Sequence, residues 1–156
     1  MEAMRFLNRY AVAVAAAAIG GGASTSRSVD AWYPRLRKPG WTPPSWVFGP
    51  VWTVLYAQMA YSGRRVAQSS DPARREALAL WWLQLGLNAA WTPVFFGARR
   101  IGGGALLITA LLPAVAGTAA ASARVDRRAG LLYAPYLAWS AYAAALNVEI
   151  WRRNRA

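Results

Sequence analysis

WYPRLRKPGWTPPSWVFGPVWTVLY, residues 32–56, holds four of the chain's nine tryptophans and five of its nine prolines, and it runs directly into an apolar segment. Closely spaced prolines fix φ and withhold backbone donors, so the first half of this stretch reads as an ordered, non-helical loop. Trp and Tyr rings, apolar at one end and hydrogen-bonding at the other, favour the boundary between lipid and water. An aromatic loop leading into an apolar helix is the pattern of a membrane segment with a structured cap, and such a loop can close a cavity.

The rest of the chain extends this reading. Its 156 residues are 56% hydrophobic and 15% charged, which is apolar for a soluble domain. Mean hydropathy is only +0.19, because Ala, Gly, Trp, Tyr and Pro score poorly and because the charges gather in short clusters. Those clusters, at Arg5 and Arg9, 27–38, 64–76, Arg99 and Arg100, 124–128 and 149–155, leave five nearly uncharged intervals of roughly bilayer length. The expected fold is all-α: an integral membrane bundle of five transmembrane helices with a structured first loop, a single domain over 1–156. The spans fall at about 6–26, 46–66, 75–97, 101–123 and 129–151. Thr42 or Ser45 is the expected cap of the second helix, Pro93 should bend the third, and Pro113 and Pro135 fall within the fourth and fifth. Arg5, Arg9, the apolar run 10–19 and the small residues 22–24 also fit a cleavable signal peptide. Lys and Arg divide nine and nine between the two sides, so charge sets no orientation. No internal repeat appears, which weakens a reading as a duplicated secondary transporter.

Composition also restricts chemistry. Without Cys or His, thiolate nucleophiles, zinc sites and imidazole acid–base catalysis are excluded, and the six acidic residues form no pair at membrane depth. Haem would lack its usual axial ligands, with only Met59 or a tyrosine in reserve, so a metal-free porphyrin fits better. The net charge of +12 comes without a nucleic-acid module. Arginines at the ends of apolar helices are assigned to lipid phosphates, and no nucleic-acid partner is expected. Seventeen arginines against the single Lys38 hint at a GC-rich bacterial genome.

Three aromatic stripes recur at helical spacing: Phe48, Trp52 and Tyr56 on the second span, Asn88, Trp91 and Phe95 on the third, and Tyr136, Trp139 and Ala143 on the fifth. Taken singly, each ring is more often lipid-facing or packed in a core. Asn88 is costly at mid-membrane depth unless partnered, which points it at a neighbouring helix or at a ligand. Gly86 and Ala90 form a small-xxx-small step that serves either packing within the chain or a homodimer.

The Trp-Tyr, Lys-Pro, Trp-x-Pro-Pro and Asn-x-x-Trp signatures together resemble the translocator protein family (TspO/MBR), also called the peripheral benzodiazepine receptor or tryptophan-rich sensory protein family, over nearly the whole chain. The resemblance favours a retained first helix anchoring the loop. It implies a membrane receptor or translocator for tetrapyrroles, protoporphyrin foremost and haem after it, and for hydrophobic drug-like molecules. Tyr33, Trp41, Pro43, Trp52, Tyr56, Asn88, Trp91, Trp139 and Ala143 stand where such members line the ligand pocket, and the stripes add Phe48 and Phe95. No cofactor is required, porphyrin being the ligand, and membrane lipids are the remaining partners. Arg35, Arg37 and Lys38 are candidates for porphyrin carboxylates, although contact with lipid headgroups is the somewhat stronger reading of the trio. Two alternatives stand beside binding: passive porphyrin or sterol transport, and light-dependent porphyrin degradation in which the indoles of Trp52 and Trp139 act as the redox groups. Trp151 precedes Arg152 where the eukaryotic sterol motif has tyrosine, so sterol binding lacks support. The expected setting is multi-pass, in a bacterial cell membrane or, in a Gram-negative cell, its outer membrane.

Overall fold

The computed structural model describes residues 9–21, 25 and 32–155, and among them all regular structure is helical. Helix α1 covers Arg9–Gly21, and a 3₁₀ turn, Tyr33–Arg35, sits in the first loop. The other helices are α2 (Ser45–Gln68), α3 (Arg74–Thr92), α4 (Ile101–Val125), α5 (Arg127–Leu131) and α6 (Ala134–Asn154), with a π turn, Pro93–Gly97, closing α3. The expected first span is described only in part, since residues 6–8, 22–24 and 26 lie outside the described set, as do Arg5 and the small residues 22–24 of the region that fits a signal peptide. Among the described helices, α4 alone is both long and apolar enough by composition to cross a membrane.

Proline chemistry moves three boundaries from where they were expected. Neither Thr42 nor Ser45 caps α2: the Thr42 hydroxyl donates to the Pro39 carbonyl at 2.7 Å, Ser45 is already helical, and the N-cap is Pro44, which offers no side-chain hydrogen bond. Pro93 widens α3 rather than simply bending it. The Ala98 N–H reaches back to the Pro93 carbonyl at 2.8 Å, the i→i+5 pattern of a π turn, and the extra residue in this turn lets the adjacent Phe95 and Phe96 both be buried. The last long helix starts at Ala134 rather than at 129, because Pro135 lacks an N–H and is harmless only in a first turn. The residues before it form the separate α5, whose N-cap is Asp126, with its Oδ1 accepting from the N–H groups of Arg128 (2.8 Å) and Ala129 (3.3 Å).

Helix α4 lies along both α3 and α6, while α2 leans on α3 and α5. The core between them is aromatic: the buried Trp81 indole donates to the Met59 carbonyl at 2.9 Å and meets Tyr10 edge-on at 5.0 Å. Where α5 folds back on α4, a Cβ on Gly130 would stand 2.7 Å from the Ala123 Cα and 2.8 Å from its nitrogen, so only glycine lets this corner close. By contrast nothing lies within 4 Å of a Cβ on the exposed Gly86, so the Gly86–Ala90 step is not filled by packing within the chain at that glycine.

The α5 corner is tied to α2 by Arg65, whose Nε donates to Asp126 Oδ2 at 2.6 Å, the two side chains being 28% and 21% exposed. This hydrogen bond, with the two backbone N–H groups of α5, holds the Asp126 carboxyl below the usual range against the opposing effect of desolvation. A lowered folded value means stability that is present above about pH 4, the ordinary aspartate range, and that is lost as pH falls through the lowered value. Thermal unfolding in detergent between pH 6 and pH 3 should therefore decline more steeply for the parent than for Asp126→Asn. Parallel curves would show that this pair does not contribute.

Candidate functional site

A cavity of about 420 Å³ lies between α1, α2, α3 and α6, on the side of the first loop. Its volume lies within the range that holds a drug-sized ligand. Helix α2 supplies Phe48, Trp52 and Tyr56, spaced four apart on one face, with Ser45, Gly49 and Thr53 beside them. Asn88, Trp91 and Thr92 come from α3, Phe95 and Phe96 from the π turn, and Leu146, Asn147 and Ile150 from α6. Tyr33 enters from the first loop, and Ala18, Gly21 and Thr25 complete the wall.

The aromatic wall is ordered by mutual contacts. Trp91 stacks on Phe95 at 5.3 Å with 17° between planes, Phe95 meets Phe96 edge-on at 4.9 Å, and Trp52 lies against Tyr56 at 5.4 Å. Such offset and edge-to-face pairs suit the ring quadrupole and hold each ring in place before any ligand arrives.

A chain of hydrogen bonds fixes the polar floor. Tyr56 Oη donates to Asn88 Oδ1 at 2.8 Å, and Asn88 Nδ2 donates to Tyr136 Oη at 2.9 Å, so one amide joins α2, α3 and α6. Asn88 thus satisfies the requirement for a partner through neighbouring helices, while its side chain still borders the cavity. A second amide repeats the device: Asn147 accepts from Trp91 Nε1 at 3.2 Å and donates to the Ala143 carbonyl at 2.8 Å. The cavity therefore presents flat apolar faces and a few fixed polar atoms, with no described group of His, Cys, Asp or Glu able to hold a metal.

Of the residues expected at the site, Tyr33, Phe48, Trp52, Tyr56, Asn88, Trp91 and Phe95 border this one cavity. Trp41, Pro43, Trp139 and Ala143 do not. Trp139 packs edge-on against Phe48 at 5.6 Å and tilted against Tyr142 at 5.7 Å, so it supports the wall through Phe48 rather than forming it, and of the two indoles expected to act in photo-oxidation only Trp52 faces the cavity. Ala143 is buried and spends its carbonyl on Asn147. Trp41 is half exposed and belongs to the anchoring of the loop: its carbonyl accepts from Tyr142 Oη at 2.7 Å and its ring meets Tyr142 at 5.5 Å.

The loop is held at two further points. Asn154 at the end of α6 accepts from the Arg37 N–H at 3.1 Å and donates to the Arg37 carbonyl at 2.9 Å. Lys38 donates to the carbonyls of Tyr33, Pro34 and Leu36 at 2.8–3.2 Å, so its ammonium is committed to the loop, and Arg35 and Arg37 remain as exposed cations for a ligand carboxylate.

Sequence reasoning missed Phe96, Leu146, Asn147 and Ile150, the small residues Ser45, Gly49, Thr53 and Thr92 beside the stripes, and Ala18, Gly21 and Thr25. Phe96 is brought in by the π turn, which breaks the 3.6-residue register, and the α1 residues carry no side-chain signature. Asn147 was the detectable one, being a second amide in a charge-poor segment.

A sequence model of the TspO/MBR family matches residues 10–152. Protein CrtK of Rhodobacter capsulatus is 38% identical over 150 residues, covering 95% of this chain and 94% of its own. The tryptophan-rich sensory protein of Cereibacter sphaeroides is 41% identical over 140 residues (88% and 87% covered), and the translocator protein of Homo sapiens is 42% identical over 126 residues (79% and 75%). With the family match running through α1 to α6 and so through every wall of the cavity, the chain belongs to the TspO/MBR family of membrane proteins.

Proposed function

We propose that this membrane protein is a receptor or translocator-type binder of flat hydrophobic molecules, a protoporphyrin-class tetrapyrrole foremost, held in the cavity between α1, α2, α3 and α6. In this reading α1, α2, α3, α4 and α6 cross the bilayer, with the first loop closing one end; a bacterial cell membrane is the expected setting. The observation that carries this reading is a 420 Å³ cavity whose walls are pre-stacked aromatic rings and whose few polar atoms are already fixed by Tyr56, Asn88, Tyr136 and Asn147. Such a site offers stacking area at little ordering cost, and exposed Arg35 and Arg37 at its loop suit the carboxylates of a porphyrin edge.

Titrating the purified protein with protoporphyrin in detergent and in lipid vesicles should give saturable quenching of Trp fluorescence at one porphyrin per chain. Quenching that rises linearly without saturating would reject the reading. Flux assays in proteoliposomes separate binding from translocation: porphyrin movement equal to that of empty vesicles makes the protein a receptor alone.

A further inference from the structure

At the opposite end of α2 from the cavity, a second recess of about 570 Å³ opens between the C-terminal turns of α2 and α4 and the short α5. Arg65, Arg127 and Arg128 line it together with Gln68, Ser69 and Asp126. Asp126 offsets only one of these three positive charges, through its ion pair with Arg65 Nε at 2.6 Å, and its other oxygen accepts from the N–H groups of α5. Arg65 is held in place by that bond and by Tyr61 Oη, which accepts from Nη1 at 3.2 Å, leaving its Nη2 without a partner among the described residues. The side chains of Arg127 and Arg128 are exposed and likewise make no hydrogen bond or ion pair among the described residues. Three guanidinium groups around one concavity, against a single carboxylate, leave a net positive recess with free donors for an anion.

The surroundings are amphipathic. Tyr61, 48% exposed, lies one turn before Arg65 on α2, and Leu131, 62% exposed, lies three and four residues after Arg128 and Arg127 on α5, hence on their face. A free phosphate has no use for such apolar neighbours, whereas a lipid has.

We propose that this recess binds the phosphate headgroup of an anionic phospholipid, with the guanidinium groups on the phosphodiester and the acyl chains running past Tyr61 and Leu131. The site is separate from the aromatic cavity and independent of the ligand proposed for it.

The test uses the full chain in detergent, with phosphatidylglycerol, phosphatidylcholine or inorganic phosphate added, read by native mass spectrometry and by thermal stability. Phosphatidylglycerol should be retained and should raise the unfolding temperature more than phosphatidylcholine does. The Arg127→Gln/Arg128→Gln variant should lower phosphatidylglycerol affinity about tenfold or more, while Arg99→Gln/Arg100→Gln, which removes the same charge elsewhere, should leave it unchanged. In the parent, high salt should weaken the phosphatidylglycerol effect, a check that needs no variant. Equal retention of the two lipids, undiminished binding by the double variant, or an effect reproduced in full by inorganic phosphate would each overturn the proposal. Protoporphyrin titration of the double variant should match the parent, which separates this result from the behaviour of the cavity.

Discussion

Trp52→Ala should weaken protoporphyrin binding by about 2 kcal/mol, roughly thirtyfold in Kd, the scale on which truncating a central aromatic anchor acts. Trp52 stands in the middle of the α2 stripe, between Phe48 and Tyr56, with its ring 5.4 Å from Tyr56 and 6.1 Å from Tyr136, so its loss removes a wall and loosens two neighbours. Trp52→Phe keeps a flat face and should lose less. Trp139→Phe gives the informative contrast, since Trp139 reaches the cavity only through Phe48 and its substitution should stay within about twofold of the parent. Porphyrin absorbance is the proper readout, because Trp52 is itself one of the fluorophores. If Trp52→Ala binds as tightly as the parent, the ligand sits elsewhere; if Trp139→Phe is the weaker of the two, the expectation drawn from sequence was right about that indole and the cavity walls need redrawing.

What the sequence made legible is what helical periodicity encodes. Phe48, Trp52 and Tyr56 on α2 and Asn88 and Trp91 on α3 are visible because spacings of three and four place side chains on one face of any α-helix, whatever it packs against. On α6 the same logic picks out Tyr136, Trp139 and Ala143, none of which lines the cavity. These three follow the period, but which turns of that face border the cavity depends on how the helices are placed against one another, and spacing along one helix carries no such information. The cavity meets α6 lower down, at Leu146, Asn147 and Ile150. Phe96 was hidden for a different reason, since the π turn after Thr92 changes the period itself. Four of the five charge-poor intervals overlap the long helices α2, α3, α4 and α6, yet the helix ends were fixed by Pro44, Pro93 and Pro135 and by the Asp126 cap, local effects that a hydropathy reading passes over.

Gly104→Ala should disturb stability and binding together. A Cβ on Gly104, in the first turn of α4, would stand 2.5 Å from Phe95 Cδ2, 3.0 Å from its Cβ and 3.2 Å from its Cγ. Phe95 can yield only toward the cavity: it is 2% exposed, stacked on Trp91 and edge-on to Phe96 and Trp32. Either its ring turns into the cavity or the corner between α3 and α4 opens, and overpacking of this kind costs about 1–3 kcal/mol. The better helix propensity of alanine offsets at most about 1 kcal/mol of this. Gly86→Ala is the matched control, an exposed helical glycine with nothing within 4 Å of the added carbon, where the same exchange should stabilise by about 0.5–1 kcal/mol. Thermal unfolding in one detergent should therefore move the two variants in opposite directions from the parent. Porphyrin affinity should fall about tenfold for Gly104→Ala, as a loss near 1.4 kcal/mol implies, and remain unchanged for Gly86→Ala. Equal stability of the two variants would mean that α4 does not press on Phe95, and a destabilised Gly104→Ala that still binds porphyrin normally would mean that the corner between α3 and α4 opens while the ring keeps its place, or that Phe95 lies outside the ligand's reach.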